Sequence, residues 1–173
     1  MSTLVWSEAL SLSMPVMDAN HQEFVDLLAL VEASEDAVLL SNWKELVAHT
    51  EAHFAREDQW MQATGFAAGN CHSTQHAVVL DVLREGSRQG AAGHLAPIRQ
   101  IAHELAMWFP HHAQNMDFGL ALHLKSMGYD PETGLVGEPD KLPDQAITGC
   151  GGACGSTSQP PASPVAAEVS AHP

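Results

Sequence analysis

Residues 111–117 read "HHAQNMD" and decide how the helical part of this chain ends. The stretch follows Trp108 and Phe109 directly after Pro110. Adjacent residues on a helix point about 100° apart, so His111 and His112 cannot share a face. His112 lies four after Trp108 and seven after Leu105, on their apolar side, while His111 is read as lying outside any site. Asp117 is five residues from His112, about 140° round an ideal helix. Either Asp117 is a surface residue, or the helix widens here in a π-bulge, a defect frequent at functional sites. The bulge is the expectation. Pro110 removes a backbone hydrogen bond and crowds the preceding turn, so the helix either kinks there or is two helices.

Outward from that stretch, three further helical patterns precede it and no strand pattern is convincing. The first is expected to open at Asp18 as N-cap, with Phe24, Val25, Leu28 and Val31 on one side. The second is expected after Ser41, running to a stop at Gly65, with Trp43, Leu46, Val47, Thr50, Phe54 and Met61 apolar-facing. The third covers Cys71 to near Gly90, and the fourth begins near Pro97 and ends at Gly128. Four helices with short connectors predict an all-α, antiparallel up-down-up-down four-helix bundle. Residues 1–17 form a leader expected to pack through Val5 and Trp6. The bundle domain is placed at 1–130. Residues 131–173, rich in Pro, Gly, Ala and Ser without sustained periodicity, are read as a mostly disordered tail.

Histidine is the compositional outlier, with 11 copies. His53 and Glu57 are four apart, as are His72 and His76, so each pair shares one helical face. His21, His53 and His76 each lie seven from a leucine of the apolar face (Leu28, Leu46 and Leu83), as His112 does from Leu105. Every helix therefore turns histidine inward. A single core histidine is ordinarily a hydrogen-bonded structural residue. Five buried imidazoles and two carboxylates would be costly without a common partner, and a metal supplies one.

The 173 residues carry a formal charge of −14, from 7 Lys+Arg against 21 Asp+Glu. That balance opposes binding to nucleic acid or an anionic membrane, both of which select basic patches. No apolar run spans a bilayer, and the first residues lack the basic and apolar regions of a secretory signal. The cytoplasm is the expected compartment. Three cysteines make no disulfide framework. Cys71 is read as facing away from the metals. Cys150 and Cys154 form C-x-x-x-C, a weak signal for a metal, a redox partner or a reversible disulfide.

Taken together, His21, "HFARED" with His53 and Glu57, "HSTQH" with His72 and His76, and "HAQNMD" with His112 and Asp117 resemble the hemerythrin family. The resemblance is closest to its single-domain bacterial members, with their pattern H…HxxxE…HxxxH…HxxxxD. Trp6, "MDANH" and Trp108 also look like the family, over roughly residues 4–128. It implies a non-haem di-iron site with an oxo or hydroxo bridge. One iron would take His72, His76 and His112, and the other His21 and His53, with Glu57 and Asp117 bridging. The second iron would keep one open position, where O2 would bind.

Ferritin-like O2-activating bundles use several carboxylates and E-x-x-H motifs. None occurs here, and the more neutral ligand set favours an O2 carrier over an enzyme. The carrier would serve storage, transport or delivery, with O2 as ligand and an O2-consuming client or redox partner. The alternatives are a di-iron enzyme acting on peroxide or nitric oxide, and an oxygen or redox sensor. His49, four before His53 where the family often has an aromatic, is either a donor orienting a ligand or a polar residue at the bundle edge. Asp58 is expected to face solvent. Phe54, Met61 and Trp108 are read as core, with the wall of an O2 pocket as a second role. His123 falls on the face of His112 and is read as hydrogen-bonded near the bundle end. His94, His103 and His172 have no ligand-like partner at helical spacing.

Overall fold

Helix α1 spans Pro15–Ala33 in a computed structural model that describes residues 4–149. It begins four residues earlier than an N-cap at Asp18 would place it, because Pro15 fits a first turn and Asp18 does a different job. The Asp18 carboxylate reaches back to accept the Leu12 N–H (2.7 Å), the Met14 N–H (3.2 Å) and the Ser11 hydroxyl (2.8 Å). It thereby ties the leader to the first turn and satisfies an N–H that the helix itself leaves unpaired. The leader buries Leu4, Leu10 and Leu12, while Trp6 packs on the core and Val5 is exposed, contrary to expectation.

Helix α2, Asp36–Ala63, starts only two residues after α1, well before Ser41. It stops at Thr64 and Gly65, whose φ of +95° is a conformation that favours glycine. Helix α3, Cys71–Ala91, is capped by Asn70, whose side-chain oxygen accepts from the His72 (2.9 Å) and Ser73 (3.1 Å) amides. Helix α4 covers Ala96–His112 and keeps Pro110 inside it. A π-helical turn, Ala113–Asp117, follows directly and leads into α5, Phe118–Ser126. The Phe118 N–H reaches the Ala113 carbonyl, five residues back, so the fourth helical rod is continuous but widened once. The Asn115 side-chain amide donates to the His111 carbonyl at 2.7 Å beside that widened turn.

The four rods pack as a bundle, α1 against α2 and α4, and α3 against α2 and α4. Among the described residues there is no regular strand, only isolated bridges Phe66–Ile147 and Tyr129–Val136. None of the helices is long and apolar enough to cross a membrane. Two apolar clusters fill the interior. One holds Leu28, Trp43, Leu46, Leu83, Ile98 and Leu105. The other holds Met17, Trp60, Met61, Leu120 and Leu124. Gly86 and Gly90 let α3 approach closely: a Cβ on Gly86 would lie 2.8 Å from the Trp43 ring, and one on Gly90 2.6 Å from Ile98. Residues 143–149 lie against the α2–α3 connection, where Ile147 donates to the Gly65 carbonyl (3.0 Å) and accepts from Ala67 (2.9 Å). Residues 150–173, most of the sequence-defined tail, lie outside the described residues.

Candidate metal centre

Four different rods deliver seven polar side chains to the middle of the bundle. His21 comes from α1, His53 and Glu57 from α2, His72 and His76 from α3, His112 from α4 and Asp117 from the π-turn; all are buried. Asp117 faces inward because the π-turn adds a residue to the circuit, so the fifth residue after His112 takes the place a fourth would hold.

The two carboxylates organise the histidines. Asp117 Oδ1 lies 3.0 Å from His72 Nε2 and 3.1 Å from His112 Nε2, while its Oδ2 lies 3.1 Å from His21 Nε2. Glu57 Oε2 is 3.3 Å from His76 Nε2 and 3.6 Å from His72 Nε2, and Oε1 is 3.1 Å from His53 Nε2. Each carboxylate thus presents one oxygen to a three-histidine half and the other to a two-histidine half. The donors group accordingly: Glu57, His72, His76, His112 and Asp117 in one cluster, and His21, His53 and Glu57 in a second.

These atoms are close without being hydrogen-bonded to one another in most cases. His21 Nε2, His76 Nε2, His112 Nε2, Glu57 Oε2 and both Asp117 oxygens are buried with no hydrogen-bond partner. Orphaned polar atoms in a dry interior are expensive. Their convergence has a simple reading. Two donors bonded at about 2.1 Å to one metal, at right angles to each other, lie about 3 Å apart, which is the spacing found here. The residues therefore fit a metal site, and either group of donors could hold an ion.

The electrostatics agree. Burial and the neighbouring Asp117 push the Glu57 carboxyl up, but His53 and His72 outweigh them and hold it well below the usual range. Asp117 is likewise pushed up by burial and held well below its ordinary value by His112, His21 and His72. Burial lowers His21, yet its contact with Asp117 leaves it raised overall. Burial also lowers His76, and Asp58 and Glu57 reverse this to a net rise. His112 stays lowered by burial and by the adjacent His72 and His76, against the pull of Asp117.

The outer nitrogens reveal partners that spacing does not. His76 Nδ1 lies 3.2 Å from Asp58 Oδ1, so Asp58, part-exposed and expected to face solvent, also reaches a site histidine. His112 Nδ1 lies 3.2 Å from Gln75 Oε1. Gln75 is on a neighbouring helix, and nothing in the sequence marks it. His49 donates from Nε2 to the Asn20 carbonyl (3.1 Å) and has Glu23 3.5 Å from Nδ1. Its ring meets His53 edge-on, but its nitrogens are directed to α1.

Aromatic rings wall both halves. Phe54 stacks on His76 (centroids 3.9 Å) and Trp108 on His112 (4.3 Å), both on the three-histidine side. Phe109 meets His21 edge-on at 5.1 Å and stacks on Phe24. Its position, four after Leu105 and three before His112, was the available signal for it. Met61 lies in the second apolar cluster with its sulfur 3.5 Å from the Asn70 amide. His123 donates to the Thr64 carbonyl at 2.8 Å, away from the donors. Cys71, first residue of α3, is disulfide-bonded, which the count of three cysteines gave no reason to expect.

The comparisons with known proteins point the same way. Residues 14–122 match a family model described as "Hemerythrin HHE cation binding domain". The chain is 39% identical over 130 residues to a "Bacteriohemerythrin" of Ralstonia nicotianae, covering 75% of this chain and 95% of that protein. It is 27% identical over 123 residues to a "Bacteriohemerythrin" of Pseudomonas paraeruginosa, covering 69% and 80%. A "Bacteriohemerythrin" of Stenotrophomonas maltophilia is 25% identical over 134 residues, covering 73% and 84%. No solved structure matches. With four histidine-bearing rods, a buried cluster of donors and these relatives, the chain belongs to the hemerythrin family.

Proposed function

We propose that this protein binds O2 reversibly at a non-haem di-iron centre held by His21, His53, Glu57, His72, His76, His112 and Asp117. The observation that carries the reading is the split of each carboxylate between a three-histidine and a two-histidine set. Glu57 and Asp117 would bridge the two ions, and the half with fewer protein donors would keep a position for O2. The two irons would supply the two electrons that reversible O2 binding needs. The protein's part is to hold the donors, fix their tautomers and keep water out. Phe109, backed by Phe24, walls the His21 side of the two-histidine half with apolar surface, which protects a bound ligand from protonation and loss. Five neutral imidazoles against two carboxylates make a weakly anionic site, which disfavours highly oxidised iron and supports carriage over turnover.

In this reading residues 1–130 carry the function, 131–173 are an appendage, and the protein works in the cytoplasm, storing O2 or delivering it to a consuming client. The test is an optical spectrum of the iron-loaded, anaerobically reduced protein, taken before O2, with O2 and after its removal, together with an iron assay. Two irons per chain and a visible charge-transfer band that comes and goes with O2 are expected. A band that decays irreversibly while O2, peroxide or nitric oxide is consumed would replace the carrier with an enzyme.

A further inference from the structure

Trp108 touches the buried centre and also the outside of the bundle. We propose that it is an electron port: a cationic one-electron donor docks over Trp108 on the face between α3 and α4 and reduces the centre through the Trp108–His112 stack. The inference rests on the di-iron reading and adds how the metals are returned to their ferrous state.

The Trp108 ring stacks on His112 with centroids 4.3 Å apart and 26° between the planes. It also meets Phe54 edge-on at 6.4 Å, and Phe54 stacks on His76 at 3.9 Å. One set of rings therefore spans two histidines of the three-histidine half. Phe54 is buried and Trp108 is half-buried, so Trp108 carries that set to solvent. On the other half His49, also half-buried, meets His53 edge-on at 6.1 Å. Electron tunnelling weakens steeply with every gap, so the face-to-face stack is the better path.

The surface around Trp108 suits a brief encounter. Three depressions, of about 560, 490 and 170 Å³, share Trp108 as a wall. Beside it Val78, Val82 and Met107 are exposed. Exposed apolar side chains gathered in one place mark a site of association, and redox encounters use small interfaces. Charge sets the sign of the partner. No lysine or arginine lines the three depressions; Glu104 and His111 are the titratable residues on their open rims. Glu104 accepts from the Gln100 amide at 2.9 Å and has no ion pair among the described residues. The whole chain carries −14, which draws cations in and turns anions away before contact.

The step moves electrons only. Release of bound O2 as hydrogen peroxide takes up two protons and leaves both irons ferric. Two donor molecules then lose one electron each, each iron gains one, and no bond to a protein atom forms or breaks. The two rings are unchanged at the end.

The iron-loaded full chain is oxidised with ferricyanide, freed of oxidant and mixed by stopped flow with reduced methyl viologen, a cation, or with dithionite, an anion. Loss of the ferric absorption gives the rate. Trp108→Leu should slow reduction by methyl viologen about tenfold, because it leaves a gap where the ring spanned. Glu104→Lys leaves every centre residue in place and should keep the iron content. It should nevertheless swing the cation-to-anion rate ratio by about tenfold at low salt, and added salt should shrink the swing. The metal-free protein gives a second reading. The fluorescence lost in Trp108→Phe should be quenched by caesium more than by iodide, each measured against free tryptophan. Equal rates for the parent and Trp108→Leu at full iron content, an unmoved ratio in Glu104→Lys, or stronger quenching by iodide would overturn the port and leave the di-iron reading standing. A chain that takes up no iron would end both.

Discussion

At the scale of single residues, the two histidines His76 and His112 look equivalent from spacing but differ in what holds their outer nitrogens. His76 is held by a carboxylate, Asp58, and His112 by a neutral amide, Gln75. A carboxylate on the far N–H fixes the tautomer and makes the imidazole a stronger donor, whereas an amide mainly fixes orientation. Such partners commonly contribute 10–100-fold to metal affinity. Asp58→Asn is therefore expected to weaken iron retention by about tenfold, read as faster loss to a competing chelator, with Asp58→Glu restoring part of it. Equal retention by Asp58→Asn and the unmodified chain would show that the contact does not support His76.

At the scale of the element, the π-turn behaves as one residue inserted into a regular helix. Ala102, Leu105, Ala106, Phe109, His112 and Ala113 are buried at helical spacing up to the turn. Beyond it Met116, Asp117, Leu120, Ala121 and Leu124 are buried. Removing one residue between the two sets brings Asp117 to four after His112 and joins both into a single apolar stripe. Gln114 is exposed within the turn and can be removed without opening the core. Deleting it should leave helix content and the melting temperature of the iron-free protein within about 5 °C of the parent, roughly the effect of 1 kcal/mol. Deleting the exposed Met107 upstream should unfold the protein, since everything after it turns by about 100°. Circular dichroism melts of the two deletions decide this, and comparable damage from both would end the inserted-residue account.

At the scale of the whole molecule, the buried charges make stability depend on acid. Folding lowers the Glu57 and Asp117 carboxyls well below their ordinary values, which are about 4 in an unfolded chain. The stability they contribute is complete above that value and is lost as pH falls through the depressed folded values, because the unfolded chain takes up protons first. Iron-free protein should therefore lose stability steeply below about pH 4 in urea titrations, and Glu57→Gln should flatten that dependence. An unchanged acid slope in Glu57→Gln would mean that the carboxylate is not stabilised by its histidines. The five-imidazole site adds a second dependence, since protons and iron compete for the same nitrogens.

The helical rods, their inward faces and the seven centre residues were legible in the chain itself. Positions four and seven apart lie on one side of a helix whatever surrounds it, so "HFARE" and "HSTQH" declare their geometry locally. Even the widened turn was readable, as a five-residue gap between His112 and Asp117 that a regular helix cannot serve. Helix starts were less legible. The Asp18 carboxylate bonds backward to the leader instead of capping, and α2 begins at Asp36 because two residues suffice for the turn. What lies between rods could be decided only by their packing. Asp58 on α2 meets His76 on α3, Gln75 on α3 meets His112 on α4, and the Thr148 carbonyl reaches the Cys71 N–H at the start of α3 from beyond the bundle. Spacing along one helix sets the angle of a side chain about that helix's own axis. The rotation and offset of one helix against its neighbour come from how all the side chains between them interlock, and no short stretch of sequence contains that.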